Sequence, residues 1–145
     1  MIGLLQRVTE ARVTVDGEVI AATGRGLLVL VAVTRDDTSA DVERLTERIL
    51  TYRVFADGQG RMNLSLADLG LDLMLVPQFT LAADTRKGRR ASFTRAASPD
   101  AGRRFFELML ELCRARVPTV ASGIFGADMK VALVNDGPVT FWLES

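Results

Sequence analysis

Two short and almost entirely apolar runs, residues 27–33 and 71–76, most constrain how this chain can fold. Short runs rich in valine and leucine, with turn residues beside them, are typical of strands that are buried on both faces. Residues 24–26, which read Gly-Arg-Gly, supply a turn signal before the first run. The sequence therefore predicts two buried strands that are well separated in the chain.

Residues 2–22 predict further strands ahead of the first apolar run. Apolar and β-branched residues are frequent over residues 2–15, and apolar and polar residues alternate over residues 11–15. This pattern indicates two strands or one bent strand. Asp16-Gly17 is a strong signal for a two-residue hairpin, which returns the chain as a strand over residues 18–22. The opening third of the chain is therefore predicted to be a sheet.

Two helices are predicted from capping residues and apolar periodicity. Thr38 or Ser39 can cap a helix that runs to about Tyr52. A second helix begins at Ser98, where a proline and an acid follow the capping serine, and it runs to about Arg116. The buried stripes are Val42, Leu45, Ile49 and Tyr52 in the first helix and Phe105, Phe106, Met109, Leu112 and Cys113 in the second.

The segments between and after these helices carry weaker signals. Residues 53–55 predict a short strand, closed by turn residues at 57–60, whereas residues 64–70 fit no single pattern. Pro118 ends the second helical pattern, and residues 123–128 predict a loop or a short strand. These segments connect the main elements of the predicted fold.

The C-terminal region contains two strand-forming runs, residues 129–134 and 139–143, on either side of a break. The break, residues 135–138, reads Asn-Asp-Gly-Pro. Glycine adopts backbone angles that are closed to other residues, and the peptide bond before proline is the kind that tolerates the cis form. Taken alone, the break fits either an ordinary turn or a functional element.

The order of elements predicts an α/β protein that forms a single compact domain over residues 1–145. Its sheets are expected to be mixed or antiparallel and barrel-like, with two main helices. A Rossmann fold is not expected, because regular strand–helix alternation and a Gly-x-Gly-x-x-Gly motif are both missing.

The chain contains no histidine, which excludes Ser-His-Asp and Cys-His catalysis as well as histidine-ligated metal sites. No cysteine cluster or Asp-rich loop replaces them, so neither a metal nor another cofactor is expected. The single cysteine, Cys113, cannot form an internal disulfide, and no apolar run approaches the roughly 20 residues that cross a bilayer. We therefore expect a cytoplasmic protein that does not enter the membrane.

Residues 84–95 form the only dense basic segment in a chain whose net charge is 0. Such a segment is either solvated surface or a loop that contacts phosphates, with an aromatic ring available for stacking. The residues that would contact RNA are Arg86, Lys87, Arg89, Arg90 and Phe93.

Two segments resemble the paired motifs of the D-aminoacyl-tRNA deacylases, the D-tyrosyl-tRNA deacylase family. They are Gln78-Phe79-Thr80-Leu81-Ala82, at the end of a buried strand, and Asn135-Asp136-Gly137-Pro138-Val139-Thr140. Gln6-Arg7-Val8 and Ala127-Asp128-Met129 are also similar to the family, so the resemblance spans the chain. The chain departs from the family at Pro77, where serine is usual, and at Ala91, where proline is usual.

The resemblance implies a homodimeric hydrolase that cleaves the ester between tRNA and a D-amino acid, or glycine on a non-cognate tRNA such as tRNA-Ala. It also implies a cis Gly137-Pro138 bond, whose backbone carbonyls enter the pocket of the partner subunit and exclude an L side chain. The implied catalytic residues are Gln78, Phe79 and Thr80, and the implied supporting residues are Arg7, Met129 and Asn135. Arg7 is expected to help fix the Gly-Pro element across the subunit interface.

The residues leave two mechanisms open. Thr80 is a possible nucleophile, but a hydroxyl needs a base, and Asp84 and Lys87 cannot be placed beside it from sequence. Alternatively, the free 2′-OH of the terminal ribose assists hydrolysis, while the backbone N–H groups of Phe79 and Thr80 hold the oxyanion. We favour the second mechanism because it needs neither imidazole nor metal. The rival functions are a non-enzymatic tRNA-binding module and an α/β enzyme that acts on small molecules.

Overall fold

The structure is a computed structural model that describes residues 1–145. The strands are β1 (Ile2–Val15), β2 (Glu18–Thr23), β3 (Gly26–Ala32), β4 (Phe55–Ala56), β5 (Met62–Leu64), β6 (Asp72–Pro77), β7 (Val120–Ser122) and β8 (Lys130–Glu144). The helices are α1 (Ser39–Thr51), α2 (Leu66–Leu69) and α3 (Pro99–Arg114), and a 3-10 helix covers Phe79–Ala82. Residues 2–15 are thus one long strand, and both predicted main helices are present.

The strand β1 organises the sheet, because it pairs with three other strands. Its first half pairs with β3 and its second half with β2, while β8 runs antiparallel along its other edge. Beyond β3, the strands β6 and β7 continue the sheet in parallel. The sheet curls until β2 lies beside β7, so it is a nearly closed barrel. The predicted α/β fold with a mixed, barrel-like sheet is therefore confirmed.

The two apolar runs occupy the centre of the sheet as β3 and β6, and they are buried on both faces. Leu27 and Leu28 are each 0% exposed, although their side chains point to opposite faces. Leu27 belongs to the large cluster that includes Phe106 of α3, and Leu28 belongs to a smaller cluster with Met74 inside the barrel. Helices cover one face and the curled sheet covers the other.

Local sequence signals account for the turn and the close strand contact that shape this sheet. Asp16 and Gly17 have φ angles of 49° and 82°, as a tight hairpin between β1 and β2 requires. A Cβ atom at Gly26 would lie 1.8 Å from the backbone oxygen of Asp72, so only glycine fits where β3 meets β6. The signals at residues 16–17 and 24–26 therefore determine the geometry of the first strands.

Several segments differ from the sequence-based expectations. The short strand predicted over residues 53–55 instead covers Phe55–Ala56 and pairs with the unpredicted strand β5. Residues 66–69 form one helical turn, in which the Ser65 hydroxyl accepts a hydrogen bond from the Asp68 N–H at 3.2 Å. The strand β7 was not expected, since its three residues are too few to show a period. The break at residues 135–138 does not end a strand, because it lies within the continuous strand β8. No helix is long and apolar enough to span a membrane.

Candidate active site

The segment Gln78-Phe79-Thr80 leaves the sheet at the end of β6. Pro77 has no N–H, so it cannot extend the ladder between β6 and β7, whose last pair is Leu75 with Ser122. The Gln78 N–H still donates to the Val31 carbonyl of β3 at 2.7 Å. The chain then turns outward into the 3-10 helix, where Phe79 and Thr80 are exposed.

The Thr80 hydroxyl has an amide as its partner rather than a base. The Gln78 side-chain amide donates to Thr80 Oγ1 at 2.5 Å. The carboxylate of Asp84, the acid closest in sequence, accepts two hydrogen bonds from the Arg86 guanidinium at 2.9 and 2.7 Å. These bonds are the main reason why the pKa of Asp84 lies well below its usual value. Asp84 is therefore a poor proton acceptor for Thr80.

The N–H groups of Phe79 and Thr80 are suited to hold an anionic oxygen. Both residues open the 3-10 helix, and the first N–H groups of a helix have no acceptor within it. The side of the segment that faces α3 borders a small apolar cleft. Its lining residues are Val31, Val33, Pro77, Phe79, Ala97, Gly102, Phe106 and Phe125.

The basic loop folds back against this segment. Asp84 and Ser92 exchange backbone hydrogen bonds at 2.8 and 3.0 Å, which close the loop between them. Phe93 follows directly, and its ring centroid lies 5.1 Å from that of Phe79. Arg86 is paired with Asp84, whereas the other basic side chains, Lys87, Arg89, Arg90 and Arg95, are exposed and have no carboxylate partner.

The Gly137-Pro138 pair lies in a bulge of β8 opposite Arg7. Gln6 pairs with Thr140 and Val8 with Asn135, so residues 136–139 loop out against a single residue of β1. The Gly137-Pro138 peptide bond is cis, and both residues are exposed. The element is therefore a projection of the sheet rather than a turn that ends it.

Two side chains hold this bulge in shape. Arg7 Nε donates to the Asp136 carbonyl oxygen at 3.1 Å, and Arg7 Nη1 donates to the Val54 carbonyl oxygen at 2.6 Å. The Asn135 side chain accepts from the Val139 N–H at 3.0 Å and donates to Thr140 Oγ1 at 2.7 Å. Arg7 and Asn135 therefore contact the Gly-Pro element of their own chain, whereas the resemblance implied that Arg7 fixes that element across the subunit interface.

Met129 supports the other segment. A Cβ atom at Gly123 would lie 2.7 Å from Met129 Sδ and 3.3 Å from Pro77 Cδ, so Gly123 is enclosed between those two side chains. Met129 Sδ also accepts the Ile124 N–H at 3.4 Å. The loop after β7 is thereby fixed against the end of β6.

The two motifs lie far apart within one chain. Pro77 pairs with Val31, and Val31 pairs with Gly3 of β1, whereas the Gly-Pro bulge faces Arg7. Four residues along β1 correspond to about 13 Å, and three strand spacings add about 14 Å across the sheet. Measured along the sheet, the separation is therefore roughly 20 Å, so the two motifs of one chain do not lie side by side.

Comparison with known proteins identifies the family. Residues 4–144 match the family model described as D-Tyr-tRNA(Tyr) deacylase. The chain belongs to the D-aminoacyl-tRNA deacylase family. It is 62% identical over 145 residues to the D-aminoacyl-tRNA deacylase of Alkalilimnicola ehrlichii, covering 100% of this chain and 97% of the relative. It is 54% identical to that of Vibrio cholerae, covering 100% of both.

Solved structures agree with the fold. A structure described as c-Myc DNA Unwinding Element Binding Protein aligns with a TM-score of 0.95 at 40% identity, covering 100% of this chain and 99% of the other. A probable eukaryotic D-amino acid tRNA deacylase aligns with a TM-score of 0.86 at 19% identity, covering 99% and 98%. Because the sequence identity to this second structure is only 19%, the alignment shows a shared fold alone. The predicted family is therefore confirmed, and the deacylase family is one of hydrolases that act on aminoacyl-tRNA esters.

Two contributors to the site were not predicted from the sequence. The Val54 carbonyl receives one arm of Arg7, and Gly123 packs between Pro77 and Met129. A backbone carbonyl has no sequence signal, and a glycine inside a loop does not reveal its neighbours. Both roles follow from the pairing of distant segments.

Proposed function

We propose that this protein hydrolyses the ester that joins a D-amino acid to the terminal adenosine of tRNA. Glycine misplaced on a non-cognate tRNA such as tRNA-Ala is a second substrate. The observation that carries the proposal is the Gln78-Phe79-Thr80 turn, whose Phe79 and Thr80 are exposed and which lies against a basic loop in a chain of the deacylase family. The turn would receive the ester, and the loop would contact the RNA.

The tRNA would assist the chemistry. The ester carbonyl oxygen accepts hydrogen bonds from the Phe79 and Thr80 N–H groups, which stabilise the charge that develops as water attacks. The adjacent 2′-OH of the terminal ribose helps to activate that water. Thr80 positions the ester together with Gln78, since its hydroxyl is held by an amide and Asp84 is held by Arg86. Because neither group is available as a base for the Thr80 hydroxyl, these contacts favour assistance by the RNA 2′-OH over nucleophilic attack by Thr80.

Selectivity would come from the Gly137-Pro138 pair of a partner subunit. Its exposed backbone would fill the space that an L side chain requires, while a D side chain or the hydrogen atom of glycine would pass. The roughly 20 Å between the motifs in one chain supports this assignment. A two-fold axis midway between them would bring each Gly-Pro pair to the other subunit's Gln78, since a C2 interface pairs each patch with its complement.

The surface between the two motifs has the character of a subunit interface. Trp142, Leu4, Leu30 and Val76 form one row across β8, β1, β3 and β6. Trp142 is 49% exposed, and Leu4 and Leu30 are partly exposed although all three are apolar, whereas Val76 is 1% exposed and belongs to the small cluster inside the barrel. A second copy lying on this face would cover the row and align the motifs. We therefore propose a homodimer with shared active sites.

Matched deacylation assays test the function. D-tyrosyl-tRNA and glycyl-tRNA-Ala should be hydrolysed in the presence of EDTA, whereas L-tyrosyl-tRNA should survive. Efficient cleavage of the L-ester would refute the steric filter, and failure on every D-ester would refute the activity. A tRNA that ends in 2′-deoxyadenosine should react far more slowly, and full activity on it would end the proposal of assistance by the 2′-OH.

Subunit complementation tests the shared site. Mixed dimers of Gln78→Ala and Gly137→Ala chains contain one site with both motifs intact, provided that each site is built from two subunits. Their D-tyrosyl-tRNA hydrolysis should therefore exceed the sum of the two parent variants. Activity equal to that sum would mean that each chain carries a complete site. Sedimentation of the wild-type protein supplies the oligomeric state independently.

A further inference from the structure

Two large aromatic side chains meet in solvent where the Gln78-Phe79-Thr80 segment faces the basic loop. Phe79 is 56% exposed and Phe93 is 42% exposed. Their ring centroids are 5.1 Å apart and their planes are inclined by 54°. A single exposed phenylalanine is ordinary, but a pair of exposed rings in mutual contact forms a surface suited to a flat, apolar partner.

Phe93 is presented by a backbone that is fixed on both sides. The preceding residue, Ser92, exchanges two backbone hydrogen bonds with Asp84. On the other side, the Ala96 N–H donates to the Phe93 carbonyl oxygen at 3.0 Å. The backbone that carries the exposed ring is therefore held in place on both sides.

The charges beside the pair indicate what covers it. Lys87, Arg89 and Arg90 lie in the basic loop shortly before Phe93, and none has a carboxylate partner. Exposed aromatic faces beside unpaired cations are the combination that binds single-stranded nucleic acid, because bases stack on the rings while phosphates contact the cations. The 3′ end of a tRNA is such an unpaired strand.

We propose that the open face of Phe93 stacks on the base of the nucleotide that immediately precedes the terminal adenosine of tRNA. The proposal rests on the proposed function, which places the ester at Phe79 and Thr80. With the terminal nucleotide beside Phe79, the preceding nucleotide lies one phosphodiester away, next to the adjoining ring and the basic loop. Stacking requires no particular base, so this subsite recognises an unpaired end without reading its sequence.

Substrates of increasing length test the subsite on the full-length protein. The two shortest are D-tyrosyl-adenosine and the dinucleotide D-tyrosyl-cytidylyl-adenosine. The other two are the dinucleotide with an abasic residue in place of cytidine, and D-tyrosyl-tRNA. The wild-type kcat/KM should rise from the nucleoside to the dinucleotide, and the abasic substrate should lose most of that gain because it retains the phosphate without the base. Equal kcat/KM on the intact and abasic dinucleotides would overturn the proposal.

Substitutions at Phe93 separate stacking from packing. Phe93→Leu retains an apolar contact with Phe79 but removes the aromatic face, and Phe93→Trp retains the face. Phe93→Leu should lower kcat/KM about five- to 150-fold on the intact dinucleotide and on tRNA. The loss on the nucleoside and abasic substrates should be much smaller than the loss on the intact dinucleotide and tRNA, and Phe93→Trp should behave as the wild type.

The outcomes distinguish this proposal from the activity itself. An equal loss on all four substrates would mean that Phe93 only packs against Phe79, and no loss on any would mean that it contacts nothing in the substrate; either overturns the stacking subsite while the activity stands. Failure of the wild-type protein on every D-ester would overturn the proposed function and this subsite with it.

Discussion

The Nε atom of Arg7 lies 3.1 Å from the backbone carbonyl oxygen of Asp136, so one side chain of β1 holds the bulge that carries Gly137 and Pro138. The Arg7 side chain is only 16% exposed, and Nε also lies 3.3 Å from the Asp136 carboxylate. Its other arm reaches Val54, outside the main sheet. The shape of the exposed Gly-Pro element therefore depends on a largely buried guanidinium.

Arg7→Ala should destabilise the fold and lower activity together. It removes hydrogen bonds to the Asp136 and Val54 carbonyls, and hydrogen bonds from charged groups contribute about 1.5–3 kcal/mol each. We expect urea denaturation to show a loss of about 2–3 kcal/mol, since water replaces part of each bond. Arg7→Lys is the control: it keeps the charge but cannot reach both carbonyls. Wild-type stability in Arg7→Ala would contradict this role.

Gly137→Ala should impair D-aminoacyl-tRNA hydrolysis at a modest cost in stability. Gly137 has a φ of +126°, and an added Cβ would lie 2.8 Å from Val139 Cγ2 and 3.0 Å from Arg7 Nη2. Such backbone strain costs about 1–3 kcal/mol. Gly58→Ala is the matched control, because a Cβ there meets nothing within 4 Å. In assays on D- and L-tyrosyl-tRNA, Gly137→Ala should hydrolyse the D-ester more slowly than Gly58→Ala does. Equal hydrolysis rates for the two variants would refute the role of Gly137.

Thr80→Ala should retain much of the turnover if the RNA hydroxyl assists the reaction. The substitution removes the oxygen held by Gln78 but keeps the backbone N–H groups that would bind the oxyanion. We expect a loss of less than about tenfold in single-turnover kcat, whereas a loss beyond about a thousandfold would identify Thr80 as the nucleophile. Thr80→Ser, which keeps the hydroxyl, distinguishes positioning from packing of the methyl group.

Neutralising the free cations of the basic loop should weaken tRNA binding without slowing chemistry. We expect a higher KM for each of the variants Lys87→Gln, Arg89→Gln and Arg90→Gln. The slope of log binding constant against log salt concentration should become shallower by about 0.7 for each phosphate that the loop no longer neutralises. Arg86→Gln is the comparison, since its guanidinium is already paired with Asp84 and should contribute less. Unchanged salt dependence in all the variants would show that the loop does not contact phosphate.

Cys113 should remain a protonated, unreactive thiol in the folded protein. Burial raises its pKa to about 12, and the residue is 0% exposed. Between about pH 8.5 and 12 the unfolded chain loses this proton while the folded chain keeps it, so the free energy of unfolding should fall as pH rises. Cys113→Ala should show a weaker fall above pH 8.5. Rapid alkylation by iodoacetamide without denaturant would contradict the prediction.

Much of the fold follows from signals carried by neighbouring residues. The hairpin at Asp16-Gly17 needs only positive φ angles, and α3 begins where Ser98 was expected to cap it, with Ser98 Oγ accepting the Ala101 N–H. The central strands were evident because they are almost entirely apolar. By contrast, the bulge in β8 was predicted as a break. Its sequence does not show that pairing with β1 continues beyond Arg7, where Gln6 pairs with Thr140.

The sequence by itself determined the family, the absence of imidazole chemistry and the two motifs that we propose as the site. The tertiary structure decided how those motifs are arranged: Phe93 against Phe79, Arg7 beneath the Gly-Pro bulge, and roughly 20 Å between the bulge and Gln78. The physical reason is that caps, turns and apolar runs act within a few residues of one another. Sheet register, which sets these distances, arises from hydrogen bonds between strands that are far apart in the chain.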